Sequence, residues 1–246
     1  NKNLPFQVLY QTFVSRSFDL TQKGYREIGF REIQDIFVSQ YYLISMGEKE
    51  YTKSLLSEWI GKVFEYGYCY HNFFWQGKEA GKWSDDGLWL LQAVYRYVNY
   101  SGDKAFLNEE YEIPETNGKK RSVYETLKAI IRYSAEISIG EHGMPLIDFA
   151  DWNDCLKVDS NYLTGPQKEK MEKPFTGYSE SVMNAFLLKL ALLHIEEFAE
   201  IQNDGDYKAH IEALTAKLDE NVQQYAWREN FFARVLFNRF GDEITY

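Results

Sequence analysis

Apolar positions recur along most of the chain at intervals of three and four residues, the period at which one face of a helix is buried. Between Phe30 and Met46 that period runs through Ile33, Ile36, Phe37, Tyr41 and Ile44, and Gly47 closes the segment. Tyr51 to Tyr70 continues it through Leu55, Leu56, Trp59, Ile60, Val63 and Phe64. Ser84-Asp85-Asp86 offers a cap and first-turn acids for a helix over Leu88 to Tyr100, stopped by Gly102. Ser122 to Ile139, Ser179 to Ile201 and Tyr207 to Tyr225 repeat the pattern, and a shorter helix is predicted over Leu4 to Val14. Strand alternation is nearly absent, Phe231 to Phe237 being the best instance.

The connections are unequal. Gly47-Glu48-Lys49 is short, whereas His71 to Trp83, Glu109 to Arg121 and Glu141 to Tyr178 are long and rich in aromatic or polar residues. A structureless loop as long as the last is uncommon in a compact domain and usually functional. No motif recurs at the spacing of tetratricopeptide or HEAT arrays. The predicted fold class is therefore all-α, an α/α toroid with long loops gathered at one rim, in a single domain over residues 1–246. The aromatic content of 17% suits wide spaces between helices.

Composition narrows the function classes. With 246 residues and 45% apolar content the chain can bury a sizeable core, which excludes disorder. Against 37 acidic side chains stand 27 basic ones, a net charge of −10 that opposes nucleic-acid binding. No apolar run approaches the ~18 to 20 residues of a membrane span, and no leader pattern opens the chain. Two cysteines, Cys69 and Cys155, are too few for a disulfide framework, so a cytoplasmic location is expected. The start at Asn1 and the aromatic-rich approach to Tyr246 raise the expectation of a fragment of a longer polypeptide.

Three segments carry candidate chemistry. Ser15-Arg16-Ser17 and the run Gly24 to Asp35 place Arg16, Arg26 and Arg31 within sixteen positions of an acidic chain. Guanidinium forks at a turn leading into a helix suit phosphate or carboxylate; a solvated turn of local salt bridges explains the same residues. Gly81 to Leu90 sets Trp83 and Trp89 around Asp85 and Asp86, consistent with a sugar platform and equally with a capped helix start in a core. Met144 to Leu156 holds Asp148, Asp151 and Asp154 among Phe149, Trp152 and Leu156. A carboxyl pressed against apolar surface keeps its proton to higher pH, as a general acid at a glycosidic oxygen requires. A capped turn with side-chain hydrogen bonds is the competing account.

Other chemistries find less support. His71, His142, His194 and His210 are isolated, with no metal-ligand spacing, so no metal site is expected. His194 reads as a satisfied core residue. Cys155 has no His near it in sequence to activate it, and no glycine-rich nucleotide loop occurs.

Taken in order, Ser-Arg-Ser, Tyr25-Arg26-Glu27-Ile28-Gly29-Phe30-Arg31-Glu32, Gln34-Asp35, Ser84-Asp85-Asp86-Gly87-Leu88-Trp89-Leu90 and Asp151-Trp152-Asn153-Asp154 resemble the inverting β-glycoside phosphorylases of glycoside hydrolase family 94. The resemblance runs from about Val14 to Leu156, and more weakly through Gly177 to Val182 and Phe231 to Arg234. It implies the N-terminal and middle part of an (α/α)6 catalytic barrel, in a protein often dimeric at full length. It implies Asp154 as general acid, sugar contacts from Arg26, Glu32, Asp35, Asp86, Asp151 and Trp152, and phosphate contacts from Arg16 and Arg31. Glu32 departs from the family's usual Asp, and the spacing from Arg31 to Gln34-Asp35 is one residue short.

The implied reaction is phosphorolysis of a β-glucoside oligosaccharide to an α-sugar 1-phosphate. Inorganic phosphate is the co-substrate, and no cofactor, nucleic acid or membrane is involved. Phosphate is itself the nucleophile, so one acid and a local cluster of cations suffice. Two alternatives stay open: an inverting hydrolase using Asp151 or Asp35 as base for water, and a non-catalytic helical carbohydrate-binding module.

Overall fold

The computed structural model describes residues 2–8, 10, 31–74, 77–80, 83–148, 150–153, 155, 156, 158 and 179–237, with the backbone alone at 31, 32, 34–36, 39, 42, 72–74 and 77–80. Strand β1 (Arg31–Glu32) leads into helices α1 (Ile33–Ser45) and α2 (Lys49–Ile60), then strands β2 (Tyr70–Phe74) and β3 (Gly77–Ala80). Helix α3 (Asp86–Ser101), strands β4 (Glu110–Glu112) and β5 (Lys120–Ser122) and helix α4 (Val123–Arg132) follow. The remainder is β6 (Ser179–Ser181), α5 (Val182–Gln202), α6 (Gly205–Asn221), β7 (Trp227–Arg228), β8 (Phe231–Phe232) and β9 (Val235–Phe237). All strand pairs are antiparallel: β1-β2-β3, β4-β5, β6-β9 and β7-β8.

Helix α3 is the centre of the packing and touches α1, α2, α4 and α5. Its sequence explains that position, because Leu88, Leu90, Leu91, Ala93, Val94, Tyr97 and Val98 are all buried and spread over more than one face. Trp59 and Leu55 of α2, Leu127 and Ile130 of α4, and Leu188, Leu192 and Ile195 of α5 close one continuous core around it. Three helix starts follow cap chemistry: Ser122, Ser181 and Asp204 each accept a backbone N–H three residues on. Among the described residues no helix is long and apolar enough to cross a membrane.

The structure departs from the periodicity in several places. The helix expected to reach Tyr70 ends at Ile60, and the chain reverses at Gly67 before entering β2. Residues 63–70 alternate rather than follow the helical period: Phe64, Tyr68 and Tyr70 gather with Tyr133 in a small aromatic cluster of their own. The predicted loops His71 to Trp83 and Glu109 to Arg121 contain hairpins, short strands whose few residues leave no readable alternation. Ser179–Ser181 is strand rather than helix, paired with β9. Phe231 to Phe237 is broken into two strands that pair elsewhere, β8 with β7 and β9 with β6. His194 stacks on Tyr95 with centroids 3.6 Å apart, and its Nδ1 finds no hydrogen-bond partner among the described residues. Burial holds its pKa down at about 4.

Candidate active site

Two segments far apart in sequence meet at the start of α3. Trp83 bridges the backbone at both Asp148 and Ala150, and Ser84 N–H donates to the Ala150 carbonyl at 3.1 Å. The Ser84 hydroxyl donates to the Ile147 carbonyl at 3.0 Å and accepts from Asn184 Nδ2 at 2.7 Å. On the other side, Leu146 bridges Glu180, while Ile147 N–H donates to Ser179 and Ser181 N–H to Pro145. Residues 145–148 and 150 are thus bridged like a strand and wedged between the α3 start and β6.

This wedge gathers carboxyls. Asp85, Asp86, Asp148, Asp151 and Glu180 are all at or below 1% exposure. Glu180 accepts the His142 and Met144 backbone N–H groups at 3.1 and 3.0 Å and lies 2.7 Å from His142 Nδ1. Asp148 holds the left-handed φ of 56° and accepts from the Tyr133 hydroxyl at 3.0 Å and the Ser138 hydroxyl at 3.2 Å. Asp86 faces His71 Nδ1 at 3.1 Å, and the Trp83 ring stacks on that imidazole with centroids 3.8 Å apart. Helix capping does not account for Asp85: its side chain makes no cap hydrogen bond and instead accepts from Trp89 Nε1 at 2.6 Å.

Burial pushes the Asp85 carboxyl up to about 8, and the charges of Asp86 and Asp151 push the same way. The folded protein therefore holds this proton where the unfolded chain, near 3.8, has released it. Its contribution to stability falls as pH rises through that window and levels off above about 8. Asp85→Asn removes the titration, so the melting temperature of the variant minus that of the wild type should increase from pH 5 to pH 8. A difference independent of pH would count against a protonated Asp85.

Asp151 accepts from Arg234 Nη2 at 2.6 Å on both oxygens, from the Ser181 hydroxyl at 2.7 Å and from Asn153 N–H at 3.1 Å. Trp152, next in the chain, is 51% exposed. Asn153 continues the turn, its Oδ1 accepting Cys155 N–H at 3.1 Å. Of the residues expected from sequence, Asp86, Asp151 and Trp152 are thus brought to one locality. Strand β1, with Arg31 and Glu32, pairs with β2, the strand of His71, at Phe73 and Asn72. Arg16, Arg26 and Asp154 lie outside the described residues.

Residues without any linear signal complete the arrangement. His71 stands alone in sequence yet partners Asp86, and Ser84 and Asn184 are joined over a separation of a hundred positions. Serine and asparagine at helix starts read as caps, so their second role is invisible before folding. Arg234 had only its place in Phe231-Phe232-Ala233-Arg234 to mark it. Among the described residues no group of three His, Cys, Asp or Glu side chains is placed to hold a metal ion. Cys69 is buried, Cys155 is exposed, and both are free thiols.

A cleft of about 430 Å³ lies apart from these carboxyls, lined among others by Arg121, Lys128, Glu136, Tyr207 and His210. Its polar groups are engaged with the protein: Lys128 with Asp204 at 3.1 Å, His210 with Glu136 at 2.7 Å, Arg121 on the Val63 and Phe64 carbonyls. It offers no comparable chemistry.

Residues 1–245 match the family model described as "Glycosyl hydrolase 94 superfamily, catalytic domain". The chain is 32% identical over 164 residues to N,N'-diacetylchitobiose phosphorylase of Vibrio proteolyticus, covering 65% of this chain and 18% of that protein. It is 25% identical over 225 residues to solabiose phosphorylase of Paenibacillus borealis, covering 91% and 26%. A third relative, 3-O-beta-D-glucopyranosyl-beta-D-glucuronide phosphorylase of Paenibacillus borealis, is 23% identical over 146 residues, covering 59% and 17%. The chain thus spans about a quarter or less of the length of these relatives.

Proposed function

The chain belongs to the glycosyl hydrolase 94 superfamily, and from that premise we propose that it contributes the acid-bearing part of an inverting phosphorylase for β-linked oligosaccharides. Phosphate attacks the anomeric carbon, the bond to the bridging oxygen breaks with inversion, and that oxygen takes a proton from Asp154. The products are an α-sugar 1-phosphate and the shortened sugar. Arg16 and Arg31 hold phosphate; Arg26, Glu32, Asp35 and Asp86 hold the sugar, with Trp152 as its platform. In this reading the helices α1 to α6 form part of an (α/α)6 barrel.

The observation that carries the reading is the convergence of the Asp85-Asp86 helix start and the Asp151-Trp152 turn, with an exposed indole beside buried carboxyls. An exposed tryptophan beside such groups suits a sugar ring, apolar on its faces and hydroxylated at its edge. The same geometry weighs against Asp151 as the base of a hydrolase. Both of its oxygens are engaged by Arg234, and it has no exposure to water.

The test is a panel of β-linked disaccharides that includes N,N'-diacetylchitobiose, solabiose and glucosyl-glucuronide, each incubated with the full-length protein with and without inorganic phosphate. Sugar 1-phosphate release only in the phosphate arm is expected. Equal sugar release in both arms would make the protein a hydrolase, and no turnover with any β-linked sugar would leave a binding module.

A further inference from the structure

The turn that starts at Asp151 is held by the side chains of Asp151 and Asn153. Asp151 Oδ1 accepts the Asn153 N–H, and Asn153 Oδ1 accepts the Cys155 N–H, each at 3.1 Å. Two side-chain turns thus tie residue 151 to 153 and 153 to 155, and Trp152 lies between the first pair. The first turn hangs on a carboxylate with no exposure, so what holds that carboxylate decides where the segment sits.

That group is Arg234, at the junction between β8 and β9. Its Nη2 lies 2.6 Å from both Asp151 oxygens, and its Nη1 lies 3.3 Å from the Ser181 hydroxyl. Its backbone is tied to the same place, since the Arg234 carbonyl accepts Val182 N–H at 3.3 Å and Val235 pairs with Ser181. The guanidinium is therefore registered on the start of α5 and carries that registration to the turn. Oδ1 of Asp151 serves Arg234 and Asn153 at once, so a shift of the ion pair moves the turn directly.

We propose that Arg234 is a positioning residue, which acts through Asp151 to set the turn at Trp152 and Asn153, the residues that precede Asp154 in sequence. This inference rests on the phosphorylase reading for its effect on turnover, but not for its effect on the turn. Without the guanidinium, Asp151 is a buried charge with only neutral donors. It relieves that state by taking a proton or by moving toward water, and either change loosens its hold on Asn153. Reacting groups displaced by about 1 Å lose roughly 10² in rate.

The experiment compares the full-length wild type with Arg234→Met and Arg234→Lys by two readouts. Hydrogen exchange of the backbone amides in residues 152–156 should speed about tenfold or more in Arg234→Met while α3 keeps its protection. In parallel kcat should fall by about 10² with KM for phosphate little changed. Arg234→Lys, which keeps the charge and loses the fork, should lie between, and it serves alone if the methionine variant does not fold. Wild-type exchange in the turn, or equal loss of protection in α3, overturns the proposal, as does a loosened turn with normal kcat. A wild type inactive in the presence of phosphate would sink the phosphorylase reading instead, and the exchange data would still decide the clamp.

Discussion

Asp154→Asn is expected to reduce phosphorolysis by the ~10² to 10⁴ that a single general acid supplies, with the melting temperature little changed. An amide cannot deliver a proton to the bridging oxygen, so that oxygen must leave as an alkoxide or take its proton from water. The synthetic direction, from sugar 1-phosphate and acceptor, should lose the same factor, because the acid of one direction is the base of the other. An aryl glycoside with a strongly acidic phenol needs no protonation and should react nearly as fast in the variant as in the wild type. Normal turnover of an unactivated disaccharide by Asp154→Asn would remove Asp154 from the role; equal loss on both substrates would show that binding, not proton transfer, had been damaged.

The second large effect is structural. Gly67→Ala should destabilise the fold by about 4 kcal/mol or more, which lowers the melting temperature by roughly 8–16 °C in a domain of this size. Gly67 sits at φ +101°, and a Cβ there would lie 1.9 Å from the Ala129 carbonyl oxygen and 2.4 Å from its carbon. These are backbone atoms of α4, so no side-chain rotation relieves the clash. Gly102→Ala is the control: its φ is also positive, at +74°, but nothing lies within 4 Å. It should cost only about the 1–2 kcal/mol of a left-handed non-glycine residue. Equal thermal shifts in the two variants would mean that conformation, not the close approach to α4, is what requires glycine at 67.

Gly67 also shows how the fold was partly legible. The helical period is correct for α1, α3, α5 and α6 because each buries a long apolar stripe against a neighbour. It overran α2 because Val63 and Phe64 continue the spacing by coincidence, and the turn that redirects them is set by contact with α4. The small sheets were hidden for a related reason: strands of two to five residues hold too few positions to show alternation.

The candidate site divides the same way. Asp86, Asp151 and Trp152 were readable because acids interleaved with aromatics are a local signal. Arg234 and His71 were not, because neither has a chemical neighbour in sequence that explains it. Their meaning comes from Asp151 and Asp86, which only the packing of the α3 start, the 144–151 segment, β2 and β9 brings within reach.

The sequence by itself determined where α1, α3, α5 and α6 lie, because burial of one face imposes a period that needs only neighbours along the chain. It also determined the family, because the order of Ser-Arg-Ser, Phe-Arg-Glu and Asp-Trp-Asn-Asp is itself linear information. Only the tertiary structure decided which charges meet. A buried carboxylate is stable only beside a donor or with its proton retained, and that condition is met in space by residues whose positions in the chain have no reason to agree.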